Sequence, residues 1–286
     1  MKVLVTGVKG QLGYDVVQQL ILRGHEAIGV DVDEMDITDE KAVRSTLLDI
    51  CPDAVVHCAA WTAVDAAEDE QNTDKVRKVN AKGTEYIAKT CKQLDCKMVY
   101  ISTDYVFDGT GETPWQPDCK DYAPLCHYGR TKLEGELAVS SLLEKYFIVR
   151  IAWVFGENGN NFIKTMLNLG KKYDTLRVVC DQIGTPTYTY DLARLLMDMV
   201  ESEKDGYYHA TNEGGFISWY EFACEIFRRA GYTTKVNPVT TAEYGVSKAK
   251  RPFNSRLDKS KLTEAGFERL PSWQDALQRY LQKLEG

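Results

Sequence analysis

The chain has 286 residues, a formal net charge of −7 and 44% hydrophobic residues, enough for one substantial core or a large domain with a smaller one attached. The acidic balance excludes nonspecific attraction to nucleic acid or anionic membrane as the main business, so an anionic substrate needs a local cluster of positive groups. No apolar run approaches the ~20 residues of a membrane span, and the four scattered histidines lack helical ligand spacing, so no metal site is expected.

Residues 2–6 form an apolar run that predicts a buried parallel strand. It leads into Gly7, Gly10 and Gly13, spaced Gly-x-x-Gly-x-x-Gly, then the helical pattern Leu12, Val16, Val17, Leu20. Strand, glycine turn and helix is the order a dinucleotide pyrophosphate site needs. The first spacing is three, not the two of the commonest dehydrogenase fingerprint. Gly24 ends the helix, residues 26–30 form a second strand, and Asp31 follows about 20 residues past the loop, where an acid can bind the adenosine ribose. Asp31 favours NADH, whereas Lys9 in the loop favours NADPH. Asp36 is placed to flank the adenine.

Asp39 caps a helix to about Asp49, and residues 53–57 form a third strand running into the small residues Ala59 and Ala60. A long helix is expected from Asn72 to Leu94, with Asn80 inside it. Residues 97–102 form a fourth strand, followed by a Pro-rich loop over 108–126, a helix carrying Tyr128, and a fifth strand over 145–150. This alternation predicts a Rossmann-like, doubly wound parallel α/β sheet. Residues 1–155 are read as the dinucleotide-binding domain, and residues 156–286 as a smaller interleaved substrate lobe. In that lobe the pattern predicts helices over 162–172, 191–201, 218–231, 258–265 and 273–284, strands over 176–180 and 207–210, and a turn over 181–186.

Tyr128 and Lys132 are four residues apart, one turn on one helix face. A cation beside a tyrosine stabilises the phenolate, and a ketone reduced by hydride must take a proton, so the pair suits an acid for that reaction. Thr103 offers a hydroxyl to the same oxygen. An ordinary surface pair has the same spacing. Lys250, Arg251 and Arg256 are either a diphosphate cradle or a solvated loop. Trp153 either stacks on a sugar or belongs to the core. Eight cysteines without a Cys-x-x-Cys pair, and an N-terminus that enters the strand pattern at once, predict a cytoplasmic protein with free thiols.

Together the glycine loop, Ser102-Thr103-Asp104 and Tyr128-x-x-x-Lys132 resemble the extended short-chain dehydrogenase/reductases. Residues 59–68, 102–109, 113–115, 159–162, 181–184 and 251–256 resemble the dTDP-4-dehydrorhamnose reductases over nearly the whole chain. The resemblance implies reduction of a dTDP-4-ketosugar with NADPH or NADH, with Tyr128 as proton donor, Lys132 lowering its pKa and Thr103 orienting the ketone. It implies a coenzyme site of Gly7, Gly10, Gln11, Leu12, Gly13, Asp31, Asp36, Ala59, Ala60 and Thr62, together with Tyr128 and Lys132. Sugar-nucleotide contacts are implied for Asp104, Tyr105, Trp153, Arg251, Asn254 and Arg256. Some members bind magnesium at a dimer interface. Tyr190 stands where a glutamate can occur in them, which argues against the metal and leaves monomer and homodimer both open. A nucleotide-sugar epimerase or dehydratase is the alternative enzyme, although Tyr105 replaces the second acid of a dehydratase. A non-catalytic NADP-binding subunit, like the regulatory subunit of methionine adenosyltransferase, is the alternative non-enzyme.

Overall fold

The computed structural model describes residues 1–245 and 247–285. The first half runs β1 (Lys2–Thr6), α1 (Gln11–Leu22), β2 (Glu26–Val30), α2 (Glu40–Ile50), β3 (Ala54–His57), α3 (Thr73–Arg77), α4 (Thr84–Leu94), β4 (Lys97–Thr103), α5 (His127–Leu142) and β5 (Tyr146–Ile151). The second half runs β6 (Val154–Phe155), α6 (Phe162–Gly170), β7 (Thr175–Val179), β8 (Ile183–Gly184), β9 (Thr187–Tyr188), α7 (Thr189–Val200) and β10 (Gly206–His209). It closes with β11 (Ile217–Ser218), α8 (Trp219–Ala230), β12 (Lys235–Val239), α9 (Thr241–Tyr244), α10 (Ser260–Glu264) and α11 (Trp273–Glu285).

Six parallel strands form the main sheet in the order β10-β5-β4-β3-β1-β2. Successive side chains point to opposite faces of a strand. Val3 and Val5 therefore pack with α1 and α7, while Leu4 packs with α2 and α4. A separate aromatic-rich core joins Phe155, Ile163, Phe222, Trp273 and Tyr280 in the smaller lobe. The chain crosses between lobes more than once: after residue 155 it builds α6 and β7, then returns to the main sheet with α7 and β10.

The helix expected from Asn72 to Leu94 is interrupted. Between α3 and α4 lies a π turn over Lys78–Gly83. Asn80 sits in this widened turn, 1% exposed. Its Oδ1 accepts from the Trp61 amide at 2.8 Å, and its Nδ2 donates to the Trp61 carbonyl and to Thr131 Oγ1, each at 3.2 Å. A regular α-turn is exchanged for hydrogen bonds that tie the loop after β3 to α5. Helical periodicity carries no signal for such a bulge. The strand β12 also lies outside the sequence expectations, and β8 and β9 stand in and beside the expected turn over 181–186. The helix expected over 258–265 is the short α10.

Candidate active site

The strand order reverses between β1 and β3, the place where parallel α/β sheets open a ligand crevice. A cleft of about 740 Å³ opens there, beyond the C-terminal ends of β1, β3, β4 and β5. Gly7 has φ +70°, and a Cβ on it would come within 2.8 Å of the Ala59 backbone. A Cβ on Gly13 would come within 2.3 Å of the Gly7 carbonyl. Only glycines let this loop close so tightly. Gly10 caps α1 without a side-chain bond, so the first amides of the helix are left for an anion. Gln11, Leu12, Ala59, Ala60 and Thr62 line the same cleft.

At one end of the cleft, Asp31 and Asp36 both line the wall. Asp31 accepts from the amides of Lys9 at 3.0 Å and Val32 at 2.9 Å. The Lys9 ammonium, expected to favour a 2′-phosphate, pairs with Asp33 at 2.5 Å. Asp36 accepts from the amide and hydroxyl of Thr38, each at 2.8 Å.

Thr103, Tyr128 and Lys132 line the opposite end. Thr103 ends β4, and its hydroxyl donates to Asp104 at 3.0 Å. Lys132 is 3% exposed. Its ammonium donates to the Ile101 carbonyl at 2.6 Å and lies 4.1 Å from the Tyr100 ring centroid. Burial pulls the Lys132 pKa down to about 7, against the opposing pull of Glu136 one turn along. Burial also pushes Tyr128 above the ordinary tyrosine value, with a hydrogen bond to Thr103 acting the other way. The expected lowering of Tyr128 by Lys132 is thus not the dominant effect in this structure. The tyrosine is therefore held in its protonated form.

Asp104, Tyr105 and Trp153 also line the cleft, whereas Arg251, Asn254 and Arg256 do not. Arg251 stands one residue behind the wall: its guanidinium donates to Tyr105 Oη at 3.2 Å and pairs with Asp65 at 2.5 Å. Tyr105 meets Tyr128 edge-on at 5.5 Å. Asp104 accepts from Ser255 Oγ, and burial raises its carboxyl to about 6. Asn254 donates to the carbonyls of Thr110 and Thr113 and accepts from the Arg256 guanidinium at 3.1 Å. The 251–256 segment is therefore tied to the end of β4 and to the loop after it. Sequence spacing missed Trp61, Val79 and Asn160, which also line the cleft. It also missed the Ser102 hydroxyl, a lining group that is buried without a partner among the described residues. Only its place beside Thr103 could have pointed to it.

The residues around Tyr190 do not fit a magnesium ion. The Lys283 ammonium lies 5.0 Å from the Tyr190 ring centroid and pairs with Glu157. Asp15 bonds Thr189 at 2.5 Å, and Asp191 is held by Arg279 at 2.7 Å and Asn212 at 2.8 Å. The acids here already have internal partners, two of them cations, Lys283 and Arg279, in the neighbourhood a metal would need. Among the described residues no helix is long and apolar enough to cross a membrane.

The profile of the RmlD substrate binding domain matches residues 1–285. The spore coat polysaccharide biosynthesis protein SpsK of Bacillus subtilis is 42% identical, over 99% of this chain and 97% of that protein. A dTDP-4-dehydrorhamnose reductase from Clostridium acetobutylicum superposes with a TM-score of 0.96 at 43% identity, covering 100% of both chains. A dTDP-4-dehydrorhamnose reductase from Bacillus anthracis, solved in complex with NADP, superposes at 0.94 with 39% identity, covering 99% of this chain and 100% of that one.

Proposed function

The chain belongs to the RmlD substrate binding domain family, and from that premise we propose how its own residues carry the reaction. The protein is an NAD(P)H-dependent reductase that converts the 4-keto group of dTDP-4-dehydro-L-rhamnose to the alcohol of dTDP-L-rhamnose. Bound NAD(P)H supplies the hydride. As negative charge grows on the ketone oxygen, Tyr128 Oη gives it a proton. Thr103 holds that oxygen by its hydroxyl, and the Lys132 ammonium stabilises the phenolate that remains. Hydride and proton add across one C=O bond, and Tyr128 recovers its proton from solvent.

Gly7, Gly10, Gln11, Leu12 and Gly13 hold the coenzyme pyrophosphate, with Asp31 and Asp36 at the adenosine and Ala59, Ala60 and Thr62 along its length. Asp104, Tyr105 and Trp153 face the sugar. Arg251 and Arg256 stand outside the cleft wall, so a role at the diphosphate requires Arg251 to exchange its Asp65 partner for phosphate oxygens, and Asn254 holds their segment in place. Every group invoked comes from one chain, which suits a monomer or a homodimer with independent sites, working in the cytoplasm.

The observation that carries this reading is the shared cleft: Thr103, Tyr128 and Lys132 line the same cavity as the glycine loop. The test follows oxidation of NADPH and NADH with dTDP-4-dehydro-L-rhamnose made in situ. Tyr128→Phe is expected to cut turnover by roughly 10²–10⁴ and to leave coenzyme affinity within about twofold. A variant that keeps most of its turnover sinks the role of Tyr128.

A further inference from the structure

We infer that Trp219 is a positioning residue for the sugar subsite: it holds the Trp153 indole in place against the cleft. The inference rests on the reading of Trp153 as a sugar contact.

Trp153 lies at the crossing from β5 to β6, where the two lobes meet, and its φ is +52°. Bulky residues rarely adopt that left-handed backbone. Small-lobe residues hold it from several sides. The Thr187 amide donates to the Trp153 carbonyl at 3.0 Å, and the Thr187 hydroxyl donates to the Ala152 carbonyl at 2.6 Å. These bonds fix the main chain but leave the indole free to turn. Its edge rests on Gly184, where an added Cβ would come within 2.9 Å of Cε2. Its face stacks on Trp219, with ring centroids 3.7 Å apart and planes at 16°. Trp219 packs in turn on Phe162, at 4.6 Å.

Trp219 opens α8, and the reciprocal Ser218–Glu221 capping box fixes that end of the helix. The ladder Trp153–Trp219–Phe162 therefore joins the cleft wall to the core of the smaller lobe. Trp153 lines the cleft and Trp219 does not, so any effect of Trp219 on the sugar passes through Trp153. With Trp219 and Gly184 closing off other rotamers, the indole is ordered before substrate arrives. Binding then avoids the cost of ordering it. The coenzyme, held by the glycine loop at the other end of the cleft, gains nothing from this stack.

The experiment compares Trp219→Leu, Trp219→Phe and Trp153→Ala by steady-state kinetics and circular dichroism. Trp219→Leu is expected to raise KM for the nucleotide sugar roughly five- to tenfold, the scale of one aromatic pair. KM for NADPH should stay within about twofold, and the dichroism of the stacked indole pair should disappear. Trp219→Phe, which keeps a ring on the Trp153 face, should recover most of the sugar KM. If Trp219→Leu does not fold, Trp219→Met takes its place. A costly Trp153→Ala beside a neutral Trp219→Leu overturns this inference alone. A neutral Trp153→Ala overturns the sugar contact, and the inference with it. Parallel rises in both KM values overturn it as well, since they report general damage to the lobe.

Discussion

The Lys132 ammonium donates to the Ile101 carbonyl at the end of β4, 2.6 Å away. This bond ties the helix that carries Tyr128 to the strand that carries Thr103. It also keeps the ammonium in a buried site, where its pKa falls to about 7. Tyr128 stays protonated across the neutral range because burial raises it. Of Tyr128 and Lys132, the lysine is the one that titrates near neutrality, while Asp104 titrates lower, at about 6; in the proposed mechanism the charged lysine is the active form. As pH rises through about 7, the free enzyme loses that charge and with it the support for the phenolate. We expect kcat/KM for NADPH, which reports groups of the free enzyme, to fall on the alkaline side of about pH 7. Lys132→Met should be slow at all pH values and lack this limb. A pH–rate profile of both proteins checks it, and an alkaline limb that survives in Lys132→Met assigns the titration elsewhere.

The backbone plan was legible because it rests on local signals. The run over residues 2–6, the three glycines and the helical repeat from Leu12 each report their own neighbourhood. Gly7, Asp31, Thr103, Tyr128 and Lys132 duly meet along one cleft, though far apart in the chain. Long-range pairings were not legible. Arg150 and Glu136 looked like ordinary strand and helix residues until α5 packed on β5. Asn80 could not be separated from any helical asparagine, since its role depends on the loop at Trp61. The basic 251–256 segment read as a possible anion site, and nothing in its spacing showed that Asp65 would take one charge of Arg251. Trp219 carried no signal at all, because stacking on Trp153 depends on how the second lobe folds back.

Removal of divalent metal should leave this enzyme unchanged. Lys283 brings a positive charge beside Tyr190 and pairs with Glu157, while Arg279 neutralises Asp191. An added dication would meet repulsion from both side chains. Dialysis against EDTA is expected to leave turnover, measured without added metal, within about twofold, and the mass in solution the same. A loss that magnesium restores would show that this neighbourhood, or another, does hold a metal.

Arg150 and Glu136 are both fully buried and joined by two bonds, at 2.9 and 2.7 Å. The remaining three guanidinium protons face the Pro117 carbonyl at 3.0 Å, Tyr122 Oη at 3.2 Å and His209 Nε2 at 3.4 Å. Phe107 lies 4.9 Å from the guanidinium carbon. The pair thus clamps the Pro-rich loop onto β5 and α5, with Glu136 one helical turn along α5 from Lys132. Two charges without water are tolerable only together. Arg150→Met leaves the Glu136 carboxylate buried and unpaired, and should cost about 3–5 kcal/mol. Arg150→Met combined with Glu136→Leu removes both charges and should recover most of that loss, since apolar replacements of buried pairs are often neutral or better. Urea denaturation of the two variants beside the parent protein measures both steps. A single variant costing under about 1 kcal/mol, or a double variant no more stable than the single one, would show that charge desolvation is not what makes the pair matter.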